Sequence, residues 1–117
     1  IRTHSTLKFR YAFNLHKRVE NLNVSVNILT KDGILMTTIS TLNGDLLRHR
    51  QEGLVRGEIN VTDLPLNPGT YVVVLPIHDG PAYLYRDVVA EFRVNSGDRL
   101  VWGKVDFNYD YQTDPAQ

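Results

Sequence analysis

Residues 64–94 read LPLNPGTYVVVLPIHDGPAYLYRDVVAEFRV. Asn67, Pro68 and Gly69 are turn-forming residues, because Pro presets φ for a turn and Gly accepts positive φ. A run rich in Val and Leu follows them. The run ends near Asp79 and Gly80, after which an aromatic-rich excursion leads to a second strand, residues 88–94. No helix of useful length fits between these breakers. The stretch therefore predicts a β domain.

Period-two alternation of apolar and polar residues recurs on both sides of this stretch. Together with the stretch itself it predicts strands at residues 7–14, 22–28, 34–41, 55–61, 71–78, 88–94 and 100–109. Segment Gly44–Gly53 lacks the alternation, and we predict a loop with one helical turn there. Short strands separated by turn signals every ~8–12 residues are typical of sandwiches. We expect an all-β fold, an immunoglobulin-like antiparallel β-sandwich of about seven to nine strands.

Length and charge narrow the class of protein. A chain of 117 residues forms one domain, here residues 1–117, and the absence of an initial Met suggests a fragment of a longer chain. The formal net charge is zero, which argues against a nucleic-acid partner because such proteins carry a basic excess. No apolar run approaches the ~20 residues that span a bilayer.

Catalytic and metal-binding patterns find little support. The chain has no Cys, no G-x-S-x-G motif and no phosphate-binding loop, and its four His residues, His4, His16, His49 and His78, have no ligand spacing. We therefore expect no enzyme activity, no cofactor and no metal. Two alternatives stay open: a calcium site near Asp79 or near Asp106 and Asp110, and a carboxylate pair, Glu58 with Glu91, that cleaves glycosides.

Polar and aromatic side chains on the predicted strands favour a glycan site. Aromatic rings stack on the C–H faces of sugars, and Arg, Asn and His side chains bond sugar hydroxyls. The predicted carbohydrate-binding residues, expected on one sheet face, are Arg56, Glu58, Asn60, His78, Arg93, Trp102 and Lys104. Trp102 would be the stacking platform. The basic surplus at Arg56, Arg93 and Lys104 would suit an acidic sugar or a phosphorylated cap.

The order of these segments resembles the Wzt C-terminal domain family, which belongs to nucleotide-binding subunits of ABC transporters that export O-antigen polysaccharide. The similarity runs from about Ser5 to Val105 and includes STLKFRYAFN, NLNVSVNILTKDGILMTTIST, GEINVTDLPLNPGTYVVVLPIHDG and DVVAEFRVNSGDRLVWGKV. Its most specific part is the LxLxPGxY strand followed by the F-x-V strand.

The resemblance implies a non-catalytic β-sandwich that binds the modified non-reducing end of the exported polysaccharide and so couples chain termination to export. It implies a cytoplasmic location at the inner face of the bacterial inner membrane, through the transporter's ATPase and membrane subunits. It further implies a homodimer in which the C-terminal strand, within VWGKVDFNYDY, is exchanged between protomers. The ATPase portion is absent from this chain.

Two rival functions make different predictions. A protein-interaction sandwich of fibronectin or immunoglobulin type, working through an edge strand, predicts a large apolar patch. A glycan hydrolase using Glu58 and Glu91 predicts a deep cleft and one carboxylate of raised pKa.

Overall fold

The computed structural model describes residues 1–41 and 49–114. Within them the chain forms six strands and no α-helix, so no helix there is long and apolar enough to cross a membrane. Residues 44–48 of the predicted loop Gly44–Gly53 lie outside the described residues. The strands are β1 (Leu7–Leu15), β2 (Leu22–Thr30), β3 (Leu35–Ser40), β4 (Gly53–Val61), β5 (Gly69–Asp79) and β6 (Ala82–Val94).

The six strands make two antiparallel sheets that pack as a sandwich. The smaller sheet pairs β1 with β4, and the larger sheet has the order β3-β2-β5-β6. The prediction of an all-β antiparallel sandwich is confirmed, and the strand count in the described residues is below the expected seven to nine.

The core lies between the two sheets and is built by the alternating apolar positions. Val24 of β2 and Val55 of β4 come from different sheets, belong to one cluster and are both fully buried. A second cluster continues the core toward the other end of the sandwich and includes Ile28, Leu64 and Tyr71. The pattern that predicted the strands therefore also predicted which of their faces is buried.

Strand β6 begins six residues earlier than the sequence predicted, so residues 82–87 belong to the strand rather than to an excursion. Gly80, with a φ of 55°, closes the tight hairpin between β5 and β6. The register shifts twice along this pair: His78 pairs with Tyr83 but Ile77 pairs with Tyr85, and Val74 pairs with Val88 but Val73 pairs with Ala90. Leu84 and Val89 are therefore the extra residues of two β-bulges.

The predicted last strand, Leu100–Tyr109, is absent. The structure shows a single bridge in this region, between Leu66 and Val105. We call residues 100–114 the C-terminal arm. Most of its apolar side chains are exposed, with Trp102 82% and Phe107 75% accessible, because the arm pairs with no strand among the described residues. The alternation that predicted a strand is present in the sequence, but none of the described strands lies beside it.

Candidate functional site

The seven predicted carbohydrate-binding residues lie on three different surfaces, so the expectation that they share one sheet face is wrong. Arg56, Glu58 and Asn60 project outward from β4 in the smaller sheet. His78 and Arg93 belong to the larger sheet. The two remaining residues, Trp102 and Lys104, lie in the C-terminal arm. Counting alternate positions along each strand could not show to which sheet each strand belongs.

The group on β4 is a network of exposed charges. Glu58 accepts hydrogen bonds from Arg10 Nε at 3.2 Å and Asn60 Nδ2 at 3.3 Å, and its carboxylate lies 3.4 Å from Lys8 Nζ. The hydrogen bond from Asn60, followed by the charge of Lys8, lowers the pKa of Glu58. Glu58 is therefore held as a carboxylate and is unsuited to donate a proton at neutral pH.

The carboxylate pair proposed for glycoside cleavage does not form. Glu58 faces outward from the smaller sheet, whereas Glu91 pairs with Val72 on the outer side of the larger sheet and forms an ion pair with Lys31 at 3.0 Å. The sandwich core separates the two groups, so they cannot flank one glycosidic bond. The hydrolase alternative therefore loses its proposed catalytic residues.

The calcium alternative finds no cluster of ligands. Asp106 accepts hydrogen bonds from His4 and Arg99, and Asp79 accepts one from the backbone N–H of Asn21. Over residues 1–41 and 49–114, no group of three or more His, Asp or Glu side chains could hold a metal ion.

His78 and Arg93 share the outer face of the larger sheet but not one site. His78 pairs with Tyr83, and Arg93 pairs with Thr70 at the other end of β5. Eight residues separate Thr70 from His78 along β5, or about 26 Å at ~3.3 Å per residue. A single sugar cannot touch both side chains.

The outer face around His78 carries a continuous set of uncharged polar side chains. Asn23 of β2 pairs with His78 of β5, which pairs with Tyr83 of β6, so these side chains form one row across three strands. We call the following residues the outer-face strip: Asn23, Ser25, Asn27, Thr38, Ser40, Thr41, His78 and Tyr83.

Hydrogen bonds hold the β2 and β3 side of the outer-face strip in place. Asn23 Oδ1 accepts from Thr41 Oγ1 at 2.6 Å and from Ser40 Oγ at 3.0 Å, while Thr38 Oγ1 donates to Asn27 Oδ1 at 2.9 Å. Asn23 is only 6% exposed. Because polar atoms fixed in this way lose little entropy when a ligand binds, the strip is preorganised for hydroxyl groups.

The His78 end of the strip carries the aromatic element. The rings of His78 and Tyr83 meet edge to face, with 4.2 Å between centroids and an angle of 77°. Tyr83 is 62% exposed, so one face of its ring is available for stacking. His78 Nε2 is buried and has no hydrogen-bond partner in the described part of the chain. Such a group is costly unless it is satisfied, and a ligand hydroxyl is one way to satisfy it.

Sequence reasoning named His78 as a candidate binding residue but did not name its neighbours on the outer face. Asn23, Ser25 and Asn27 are the polar positions of the alternation that predicts the strand at residues 22–28. The signal that distinguishes them is chemical: all three are amides or hydroxyls with no charge among them, on a strand that proves to be central in the larger sheet.

A groove opens on the side of the sandwich where β1 and β6 are not bonded to each other. It has a volume of about 700 Å³ and is mostly apolar. Its walls include Phe13 and Leu15 of β1, Ile77 of β5, and both bulge residues of β6, Leu84 and Val89. The bulges therefore direct two extra apolar side chains into this groove, which is distinct from the outer-face strip.

Comparison with known proteins gives a family and a fold. Residues 1–107 match the family model described as the Wzt C-terminal domain. The fold is similar to a crystal structure of the C-terminal domain of Wzt, with a TM-score of 0.82 at 16% sequence identity; the match covers 97% of this chain and 73% of that chain. No curated protein matches the chain.

Proposed function

This chain belongs to the Wzt C-terminal domain family, and on that premise we propose that it binds the exported O-antigen polysaccharide on its outer-face strip, without catalysis. Family membership suggests a role in the O-antigen ABC exporter. The finer proposal is that the strip recognises the modified non-reducing terminus of the polysaccharide at the cytoplasmic face of the inner membrane. The ATPase and membrane subunits of the transporter would be its partners in the full-length protein.

The observation that carries this proposal is the row formed by Asn23, His78 and Tyr83. It combines a fixed amide, an imidazole nitrogen without a partner and an exposed aromatic ring on neighbouring strands. Sugar rings present hydroxyls at their rim and C–H groups on their faces, so this combination suits a sugar. None of these three side chains carries a fixed charge. They therefore favour an uncharged sugar at this end of the strip, rather than the acidic sugar or phosphorylated cap that Arg56, Arg93 and Lys104 suggested.

We also propose that two copies of the chain associate through the C-terminal arm. Along the arm, apolar Val105, Phe107, Tyr109 and Tyr111 alternate with Asp106, Asn108 and Asp110. This alternation is typical of a strand with one buried face, yet Phe107, Tyr109 and Tyr111 are exposed here. The β1–β6 groove offers an apolar surface and two strand edges that pair with no other described strand, so it suits the arm of a second copy.

A protein-interaction function is the second candidate, and one observation favours it. Leu84, Tyr85, Val88 and Val89 are all exposed on β6, which is an edge strand of 13 residues. An unpaired edge with exposed apolar side chains is suited to strand addition by a partner protein. If the arm of a second copy covers this edge, the same observation is explained by the dimer.

Titration of the ¹⁵N-labelled chain with the polysaccharide tests the proposed site. The polysaccharide is taken from the strain that carries the gene and is released from its lipid by mild acid. We expect resonance shifts at β2, β5 and the first half of β6, and a loss of affinity of at least about fivefold in His78→Ala and Tyr83→Ala, since stacking and bonded hydroxyls each contribute ~1–3 kcal/mol.

The matched control is the double variant Arg56→Ala and Asn60→Ala, which removes polar side chains from the opposite outer face. It should bind as the native chain does. Loss of binding in this variant, with His78→Ala unaffected, would place the site on the smaller sheet instead. A folded native chain that binds no polysaccharide would exclude the carbohydrate-binding function and leave the protein-interaction candidate.

A further inference from the structure

An ion-pair cluster at the base of the C-terminal arm joins three distant parts of the chain. His4 Nδ1 lies 2.5 Å from Asp63 Oδ1, in the connection between β4 and β5. His4 Nε2 lies 2.8 Å from Asp106 Oδ2, in the arm. A neutral imidazole can donate from one nitrogen only, whereas a protonated one donates from both. Donation to two carboxylates therefore requires the His4 imidazolium.

The other charged and polar groups of the cluster favour the same state. Arg99 donates to Asp106, and Asn108 of the arm donates to Asp63, so each carboxylate has a second partner. The side chain of Asp106 is 11% exposed and that of His4 is 22% exposed. The groups that face His4 are thus two carboxylates, with Arg99 behind one of them and no other charged side chain bonded to the cluster among the described residues.

The backbone around His4 shows that the residue is held in place by tertiary contacts. His4 is the one non-glycine residue in the described chain with a positive φ, at 69°. Its backbone N–H donates to the carbonyl of Leu64 at 2.6 Å, and Leu64 N–H donates to the carbonyl of Ser5 at 2.9 Å. A left-handed conformation is costly for a residue with a Cβ, so surrounding contacts must maintain it.

We propose that His4 is a pH-dependent latch that, when protonated, holds the C-terminal arm in one direction against the sandwich and releases it when it loses its proton. The latch acts at the point where the arm leaves the body, since Asp106 N–H also donates to the carbonyl of Pro65 at 2.6 Å. Loss of the proton removes one of the two His4 hydrogen bonds and the attraction to both carboxylates. The proposal stands whether or not the outer-face strip binds polysaccharide.

The protonation equilibria agree with this geometry. Hydrogen bonds to Asp63 and then Asp106 raise the pKa of His4 above its usual 6.5. The hydrogen bonds from His4 lower the pKa values of Asp63 and Asp106. The latch is therefore closed at pH values above the lowered pKa values of the two carboxylates and below the raised pKa of His4. It opens as the pH rises through the pKa of His4.

Distance measurement between spin labels tests the latch directly. The chain has no Cys, so Thr37→Cys on β3 and Gln112→Cys in the arm can be labelled without background. Diluting the labelled chain in an excess of unlabelled chain restricts the signal to distances within one molecule. Double electron–electron resonance should give a narrow distribution near pH ~5.5 and a broad one near pH ~9, a range that spans titration of a histidine with a raised pKa.

Variants separate the latch from a general effect of pH. His4→Gln should give the broad distribution at both pH values, and His49→Gln, at the opposite end of the smaller sheet, should behave as the native chain does. An unchanged distribution in the labelled chain with His4 intact, while NMR shows that His4 loses its proton, would overturn the proposal. This comparison needs no substitution at His4, so it holds even if His4→Gln does not fold.

Discussion

Asn67 donates its side-chain amide to the backbone carbonyl of Trp102 at 2.8 Å, and so ties the β4–β5 connection to the start of the C-terminal arm. The same nitrogen lies 3.0 Å from the carbonyl of Gly103, and Asn67 N–H donates to the carbonyl of Lys104. Asn67 is 2% exposed. One buried side chain therefore satisfies carbonyls of an otherwise exposed segment.

Replacing Asn67 by Ala should destabilise the chain by about 1–3 kcal/mol, because the two hydrogen bonds from its buried side chain to the arm are lost. Urea denaturation followed by Trp102 fluorescence measures the change. Asn14→Ala, at an exposed position of β1, is the control and should change stability by less than about 0.5 kcal/mol. Equal effects in the two variants would show that the Asn67 bonds contribute nothing.

Gly57→Ala should destabilise the smaller sheet. Gly57 pairs with Tyr11, and a Cβ added at Gly57 would fall within the Tyr11 ring. We expect a cost of about 1–3 kcal/mol for this overpacking, measured by urea denaturation. Gly69→Ala is the control, since its Cβ would meet Tyr71 at an ordinary 3.6 Å.

A double-mutant cycle shows whether the Tyr11 ring is the cause. In a Tyr11→Ala background the further change Gly57→Ala should cost clearly less than it does in the native chain, because the ring it would strike is gone. The same cost in both backgrounds would contradict the proposed contact.

Stability should depend on pH through His4. Because its folded pKa is raised, the stabilisation is complete below the usual pKa of 6.5 and is lost as pH rises through the raised value. The difference in urea midpoint between the native chain and His4→Gln should therefore be larger near pH ~6 than near pH ~9. A difference that does not change with pH would mean that His4 stabilises the chain through packing alone.

Introducing charge on the apolar side of the arm should abolish self-association. Phe107→Asp with Tyr109→Asp places two carboxylates where an exchanged strand would enter the β1–β6 groove, and burying an unpaired charge is strongly unfavourable. Sedimentation velocity should then detect a monomer, whereas the native chain and Asp110→Lys, on the polar side of the arm, should sediment as dimers. A native chain that stays monomeric at all concentrations would exclude the dimer.

The sequence predicted the core better than it predicted the surface. A period of two predicted the strand at residues 22–28, whose Leu22, Val24 and Ile28 lie in the core, and that period is a local property of the chain. The grouping of Arg56 with His78 was wrong because their distance depends on which sheet each strand joins, and strand parity contains no information on sheet membership.

The ends of the chain show a different limit of sequence reasoning. Residues 100–109 have the alternation of a strand, but a strand must also lie along an edge, and in the described part of the chain this segment makes one bridge, between Leu66 and Val105. His4 and Asp106 are separated by 102 positions, and nothing in the residues around either one indicates that they meet. Contacts of this kind follow from the path of the chain through the whole fold.

The two bulges of β6 make strand length a determinant of groove shape. Val88 pairs with Val74 and Ala90 pairs with Val73, so deleting Val89 would leave both pairs in register and on their present faces. The deletion would remove one apolar side chain from the groove and leave the outer-face strip unchanged. Gain or loss of one codon in β6 can thus reshape the groove of a relative without altering its outer face.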